Sequence, residues 1–279
     1  MRKIEATARY VTKGRVADAA RRLNQSDWSV LEFLRVAGYA TTRQVERFCF
    51  TEGTALARAR ASRRSLERLV RLNAAYRLER RIGGLAAGSD QGIYTLDRAG
   101  WRLLEARGHL PPVRVRRPDE RGLAFLSHSL LLTESLVMLA ERERQEPEFE
   151  LVTWLGHPHC RRLFTYRGKV ERLSPDAFVE VRREGEVISS FLEIDRGTES
   201  LPTLLRRLGG YLRYARLYGS ETPQVVVALH HPARVDRLAE ELPTLSRREG
   251  LRPSVGTSLF RLGELDAAIS ALAGGDDLT

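Results

Sequence analysis

The chain has 279 residues, 42% of them hydrophobic and 29% charged, enough for one large core or two smaller ones. Its two cysteines, Cys49 and Cys160, stand far apart and in no C-x-x-C spacing, which excludes a disulfide scaffold and a zinc ribbon; no stretch reads as a signal-peptide core or as a membrane span, so a soluble, cytoplasmic chain with no membrane partner is expected. The net charge of +10 is unevenly divided, with 26 Lys+Arg against 13 Asp+Glu in residues 1–121 and 20 against 23 in residues 122–279, an excess that fits a polyanion, most commonly nucleic acid.

In chain order, Ser26 is a natural N-cap for a first helix, in which Trp28, Leu31 and Leu34 recur on one side until Gly38 stops it. Thr41 and Thr42 cap a short second helix with Val45 and Phe48 directed inward. A turn at Glu52-Gly53 leads to a third helix, Thr54–Asn73, whose apolar stripe of Leu66, Leu69 and Val70 leaves Arg60, Arg64, Arg68 and Arg71 on the other side. Residues 76–82, a glycine-rich tip at 83–92 and the strand Ile93–Leu96 read as a β-hairpin, after which Asp97 caps a helix through Trp101, Leu103 and Leu104.

Three helices and a hairpin are the order of a winged helix-turn-helix, with the third helix sized for the major groove and the wing on the flanking backbone. Between Thr54 and Arg81 there are nine arginines against two glutamates, too one-sided for a face laced with i,i+4 ion pairs. Double-stranded DNA is therefore the expected partner, contacted by Arg58, Arg60, Arg63, Arg64, Arg68, Arg71, Arg80 and Arg81. This domain, with a basic N-terminal arm, spans residues 1–108; the proline- and arginine-rich, aperiodic stretch 109–121 is a linker.

The second domain, 122–279, opens with Leu123–Ala140, a helix apolar on nearly every side that nevertheless carries His128 and Glu134. Strands follow at Phe149–Leu155, Asp176–Arg182 and Val187–Asp195, then a helix from Glu199 to Tyr218, a strand from Pro223 to His230, a helix from Pro232 to Arg248, a strand from Gly256 to Arg261 and a last helix. The order αβββαβ, with an appended αβ, is that of the restriction-endonuclease-like, or PD-(D/E)XK, core, so the fold class predicted for the whole chain is α+β. The two-residue strand period places Asp176 on one face with Phe178 and Glu180, and Glu193 with Asp195, so that Asp176 and Glu193 converge. In a working nuclease of this type two carboxylates hold Mg²⁺ and a lysine two positions after the second orients water. Glu134, Asp176 and Glu193 supply the carboxylates, whereas Asp195 stands where the lysine belongs.

His128 with the run Thr133–Leu136, the Pro-Asp-Ala-Phe run 175–178, and above all the segment FLEIDRGTES at 191–200 followed by LLRRL and Tyr211 resemble the replication-relaxation proteins of bacterial plasmids and integrated mobile elements. The resemblance covers most of the chain. It implies a winged helix followed by the nuclease-like domain, and it places Arg207 where members often carry a lysine.

Two functions fit these residues. In one, a DNA-binding accessory or regulator of a mobile element's replication or transfer uses a degenerate nuclease-like domain for dimerisation or docking, with Asp195 paired to an arginine such as Arg196 or Arg207. In the other, a DNA endonuclease or nickase uses Mg²⁺ or Mn²⁺ held by Asp176 and Glu193, with Glu134 and Asp195 beside them. The first is preferred, because an aspartate in the lysine position repels the scissile phosphate. His157, His159 and Cys160 read as a surface loop rather than a metal site, His230-His231 as a strand end, and Gly83-Gly84 as a wing tip rather than a phosphate loop.

Overall fold

The computed structural model describes residues 12–78, 92–108 and 122–273. The mixed α+β chain divides into two compact units, Met1–Thr133 and Glu134–Thr279. The basic arm, the wing tip through residue 91 with Arg80 and Arg81, the 109–121 segment and the polar end lie outside the described residues.

In the first unit, α1 (Lys13–Arg22), capped by Thr12, was not expected from the sequence. Helix α2 (Gln25–Ala37) starts one residue before the predicted cap: Asn24 accepts from the Asp27 amide and Asp27 returns the bond, a reciprocal capping box that outcompetes Ser26. After Gly38, at φ 74°, β1 (Ala40–Thr41) leads to α3 (Thr42–Cys49), which Thr41 and Gln44 box in the same way. Helix α4 (Ala55–Arg71) is capped by Thr54, and β2 (Ala75–Arg77), β3 (Ile93–Leu96) and α5 (Arg98–Ala106, capped by Asp97) follow. The sequence supplied a two-stranded hairpin; the structure adds β1, giving the antiparallel order β1-β3-β2. Val30, Leu31, Leu34, Val45, Leu66 and Leu69 are fully buried, and Phe48 stacks on Phe33 with ring centroids 4.3 Å apart. At Gly100 a β-carbon would stand 2.1 Å from the Ala74 carbonyl oxygen, so α5 can cross that backbone only on a glycine.

Helix α6 (Leu123–Gln145) contains the division between units. Its first half belongs to the first unit, rather than starting a separate domain at residue 122, because Leu126 and Leu130 pack with Leu78 and Ile93, the Gln44 amide donates to the Leu130 carbonyl at 2.9 Å, and Thr133 donates to the Tyr39 carbonyl at 2.7 Å. At 23 residues and a mean hydropathy of 1.6 in its most apolar window, α6 is long and apolar enough to cross a membrane, against the expectation that no segment would be. Here Leu136, Val137 and Leu139 are buried in protein, which is how a core helix acquires the same composition.

The second unit is built on a mixed sheet of order β10-β9-β8-β7-β4. Antiparallel β4 (Phe149–Gly156), β7 (Ala177–Arg183) and β8 (Glu186–Asp195) precede α7 (Leu201–Tyr218); β9 (Gln224–Leu229) and β10 (Phe260–Gly263) continue parallel to β8, joined by α8 (Pro232–Arg248) and α9 (Pro253–Leu259), and α10 (Leu265–Leu272) closes the unit. A separate antiparallel hairpin, β5 (Arg162–Tyr166) and β6 (Lys169–Leu173), was not anticipated. The main core lies on the sheet face covered by α7 and α8, where Phe178, Phe191, Val225 and Val227 meet Leu204, Leu208, Tyr211 and Leu242.

Candidate carboxylate site and arginine face

The two-residue period of β8 puts Phe191, Glu193 and Asp195 on the face that α7 and α8 cover, so both carboxylates are buried, at 1% and 3% exposure. The register Ala177↔Leu192 brings Asp176 beside Glu193, and Asp176 Oδ2 accepts from the Ile194 amide at 2.7 Å. The expected convergence of Asp176 and Glu193 is therefore present.

Their surroundings decide what the pair can do. Tyr211, from α7, donates a short hydrogen bond to Glu193 Oε1. Arg207, one turn earlier, holds Nη2 2.8 Å from Glu199 and 3.4 Å from Glu193 Oε2, close enough for charge pairing without hydrogen-bond alignment. Burial, and then the charge of Asp176, raise the Glu193 carboxyl to about 8, with Arg207 and the Tyr211 hydroxyl pulling the other way. Burial and then Glu193 push the Tyr211 hydroxyl well above its usual range. For Arg207 burial works against the charge, but Glu193, Glu199 and Asp176 outweigh it and strengthen its basicity. Burial and Asp176 thus favour the neutral form of Glu193 under the tyrosine hydroxyl, more than an exposed carboxyl would allow.

Asp195 pairs with Arg234 from the first turn of α8, a partner the sequence did not suggest. Its Oδ1 also accepts from the Gly197 amide at 3.0 Å, and Arg234 spans on to the Glu199 carbonyl at 2.8 Å. Glu134 is half-buried on α6, and His128 lies half-buried earlier on the same helix. Among the described residues no three of the His, Cys, Asp and Glu side chains come together as a metal-holding group. A magnesium ion requires several oxygens facing one point. With Glu193 facing Tyr211 and Arg207, one Asp176 oxygen on a backbone amide and Asp195 turned to Arg234, the set does not fit such an ion as it stands.

His157 and His159 are exposed, whereas Cys160 is buried, its thiol donating to the Pro175 carbonyl at 3.0 Å and raised to about 11 by burial. The His230 amide donates to the Asp195 carbonyl, but its side chain and that of His231 are exposed. Sequence reasoning missed Arg234 altogether and assigned Tyr211 no role. Tyr211 did carry a signal: it falls one helical turn after Arg207.

On α4, Arg60, Arg63, Arg64 and Arg71 are exposed, and at about 100° per residue they share one face with Glu67 among them. Two other expected contacts are used internally. Arg68 lies 2.8 Å from Asp27, which is fully buried, and Arg58 donates to the Gly53 carbonyl at 2.8 Å.

Fold and site thus define a two-unit α+β protein with an arginine-faced helix in one unit and a buried, arginine-flanked carboxylate pair under a mixed sheet in the other. Residues 31–228 match the family model for replication-relaxation, and the chain belongs to that family, which carries a replication-related role. No curated protein and no solved structure matches it.

Proposed function

We propose that the chain is a DNA-binding protein of a plasmid or integrated mobile element, working in the cytoplasm as an accessory or regulator of replication or transfer. In this reading the first unit is a winged helix-turn-helix that presents α4 to duplex DNA. The second is a PD-(D/E)XK-like domain whose site has become structural and which is available for homodimerisation or docking. The observation that carries it is a contrast between two sets of arginines. Arg60, Arg63, Arg64 and Arg71 of α4 form an exposed row, whereas Arg207 and Arg234 are consumed in pairing Glu193, Glu199 and Asp195. Cations of the first kind are placed for phosphates and guanines; those of the second neutralise a site where a nuclease would need open carboxylates.

A second reading, a DNA endonuclease or nickase using Mg²⁺ or Mn²⁺, draws on one feature. Asp176 and Glu193 stand close enough to repel, a repulsion that a cation relieves as well as a proton. Supercoiled plasmid incubated with the protein and each metal separates the two, beside an Asp176→Ala control. The expected result is no nicking, with DNA binding the same in the control. Nicking that disappears in Asp176→Ala overturns the regulator. In the same binding assay, Arg64→Ala is expected to weaken duplex binding by about 1–3 kcal/mol if it makes a forked base contact, and by less if it meets only phosphate.

A further inference from the structure

We propose that the outer face of the β5–β6 hairpin is a second contact for duplex DNA, gripping the phosphate backbone beside the carboxylate site. The inference rests on the reading that the chain binds DNA. It concerns the unit whose overall charge gave no sign of doing so.

The hairpin closes on the two-residue turn Arg167-Gly168, both at positive φ (48° and 75°), the conformation that matches strand twist in tight hairpins. Its inner face is fixed to α7. Phe164 and Leu173 are buried, Phe164 meets Tyr214 edge-on at 5.4 Å, and Glu171 is held by Arg213 at 2.8 Å. Among the described residues the outer face has no such cover. Leu163 and Val170 are 69% and 75% exposed, the two most exposed large apolar side chains among the described residues, and the pairs Leu163↔Arg172 and Thr165↔Val170 put them on the same side. Arg161 and Arg172 are exposed beside them and Arg167 is exposed at the turn; Lys169, exposed at the same end of the hairpin, has the strand parity of Glu171, and that one acid of the segment is occupied by Arg213. Five cations against one acid over residues 161–172 reverse the sign of a half that is otherwise acidic.

Position links this face to the site. Cys160, at the foot of β5, bonds to the carbonyl of Pro175, the residue before Asp176. Arg161, Arg172 and Asp176 all act on the His157 imidazole. A two-stranded ribbon is narrow enough for the major groove, and two aliphatic side chains with Arg161 and Arg172 beside them and Arg167 and Lys169 at the turn suit base edges and sugars flanked by phosphates. An anionic membrane calls for a wider apolar face than two side chains provide.

The test uses the full chain and a duplex oligonucleotide of arbitrary sequence, titrated at several salt concentrations, with Arg167→Ala/Lys169→Ala/Arg172→Ala, Leu163→Ser/Val170→Ser and, separately, Arg60→Ala/Arg64→Ala. All the altered side chains are exposed, so circular dichroism melts serve as the folding control. At about 0.9 per phosphate lost, the triple variant is expected to flatten the slope of log K against log salt by about 2–3 and to weaken binding on the order of tenfold or more. The Leu163/Val170 variant is expected to bind more weakly at an unchanged slope. If the triple variant matches wild type while Arg60→Ala/Arg64→Ala loses affinity, the hairpin contact is overturned and the proposed function stands. Failure of the wild type to bind duplex DNA removes that function and this contact with it. If the triple variant loses binding only to phosphatidylserine–phosphatidylcholine vesicles and not to DNA, the face is a membrane contact and the proposal is wrong.

Discussion

A carboxylic acid at 1% exposure, Glu193, is tolerated because a proton, a tyrosine hydroxyl and a nearby guanidinium share the work of neutralising it. Its folded value of about 8 lies above the ordinary 4.5. Between those two values the folded protein keeps a proton that the unfolded chain has released, so stability falls as pH rises through the window. Thermal melts in chelator are expected to show the midpoint of the second unit declining from about pH 5 to about pH 8. Glu193→Gln, neutral at every pH and still able to accept from Tyr211, should flatten that decline; an unchanged decline in the variant would mean that another group carries the proton. Asp195 poses the opposite case, an acid kept beside a cation. Arg234→Ala removes that cation from a buried carboxylate, and chemical denaturation is expected to register a loss of about 3–5 kcal/mol. The carboxylates themselves were legible in the sequence, because strand alternation alone brings Asp176 and Glu193 onto converging faces. Their partners were not. Tyr211 lies 18 residues along the chain from Glu193, and Arg234 lies 39 from Asp195, on helices whose placement depends on packing against the sheet.

Between elements, Asp27 shows how one side chain can serve two helices. It closes the capping box of α2, accepts from Ser65 at 2.7 Å and pairs with Arg68, both on α4, from a fully buried position. Asp27→Ala removes the return half of the capping box and leaves a serine and an arginine without their acceptor, at an expected cost of about 2–4 kcal/mol in the melting of the first unit. Arg64→Ala, on the exposed side of the same helix, is expected to leave the melt unchanged while weakening DNA binding. Most helix starts were readable from the sequence to within a residue or two, since a cap is a local hydrogen-bonding event, but α9 occupies residues 253–259 where a strand from Gly256 was expected. Helix α1 and the β5–β6 hairpin were passed over for different reasons. The first is weakly apolar and is placed by its tertiary neighbours. The second did show alternation and an Arg-Gly turn, but its exposed Leu163 and Val170 disguise which face is inward.

Across the whole molecule, the segregation of charge gives a prediction that does not depend on any single residue. If the excess of the first unit is spent on phosphates, binding of the wild-type chain to random duplex should fall steeply with salt, by roughly 10³ or more between 50 and 200 mM for about six or more contacts, as fluorescence anisotropy would show. A salt-independent affinity would remove phosphate contacts from the account. Net charge could be summed from the sequence, but it concealed the basic hairpin inside an acidic half, because a sum carries no position. What the sequence determined by itself was short-range: most of the helices and the central strands, several of their caps, and the parity that turns Asp176 and Glu193 toward each other. Tertiary structure decided that α6 serves the first unit up to Thr133, that Arg68 answers Asp27 rather than remaining open, and that Arg234, distant in the chain, answers Asp195. Periodicity and capping act over a few residues, whereas the partner of a buried charge is whichever opposite charge packing brings within reach.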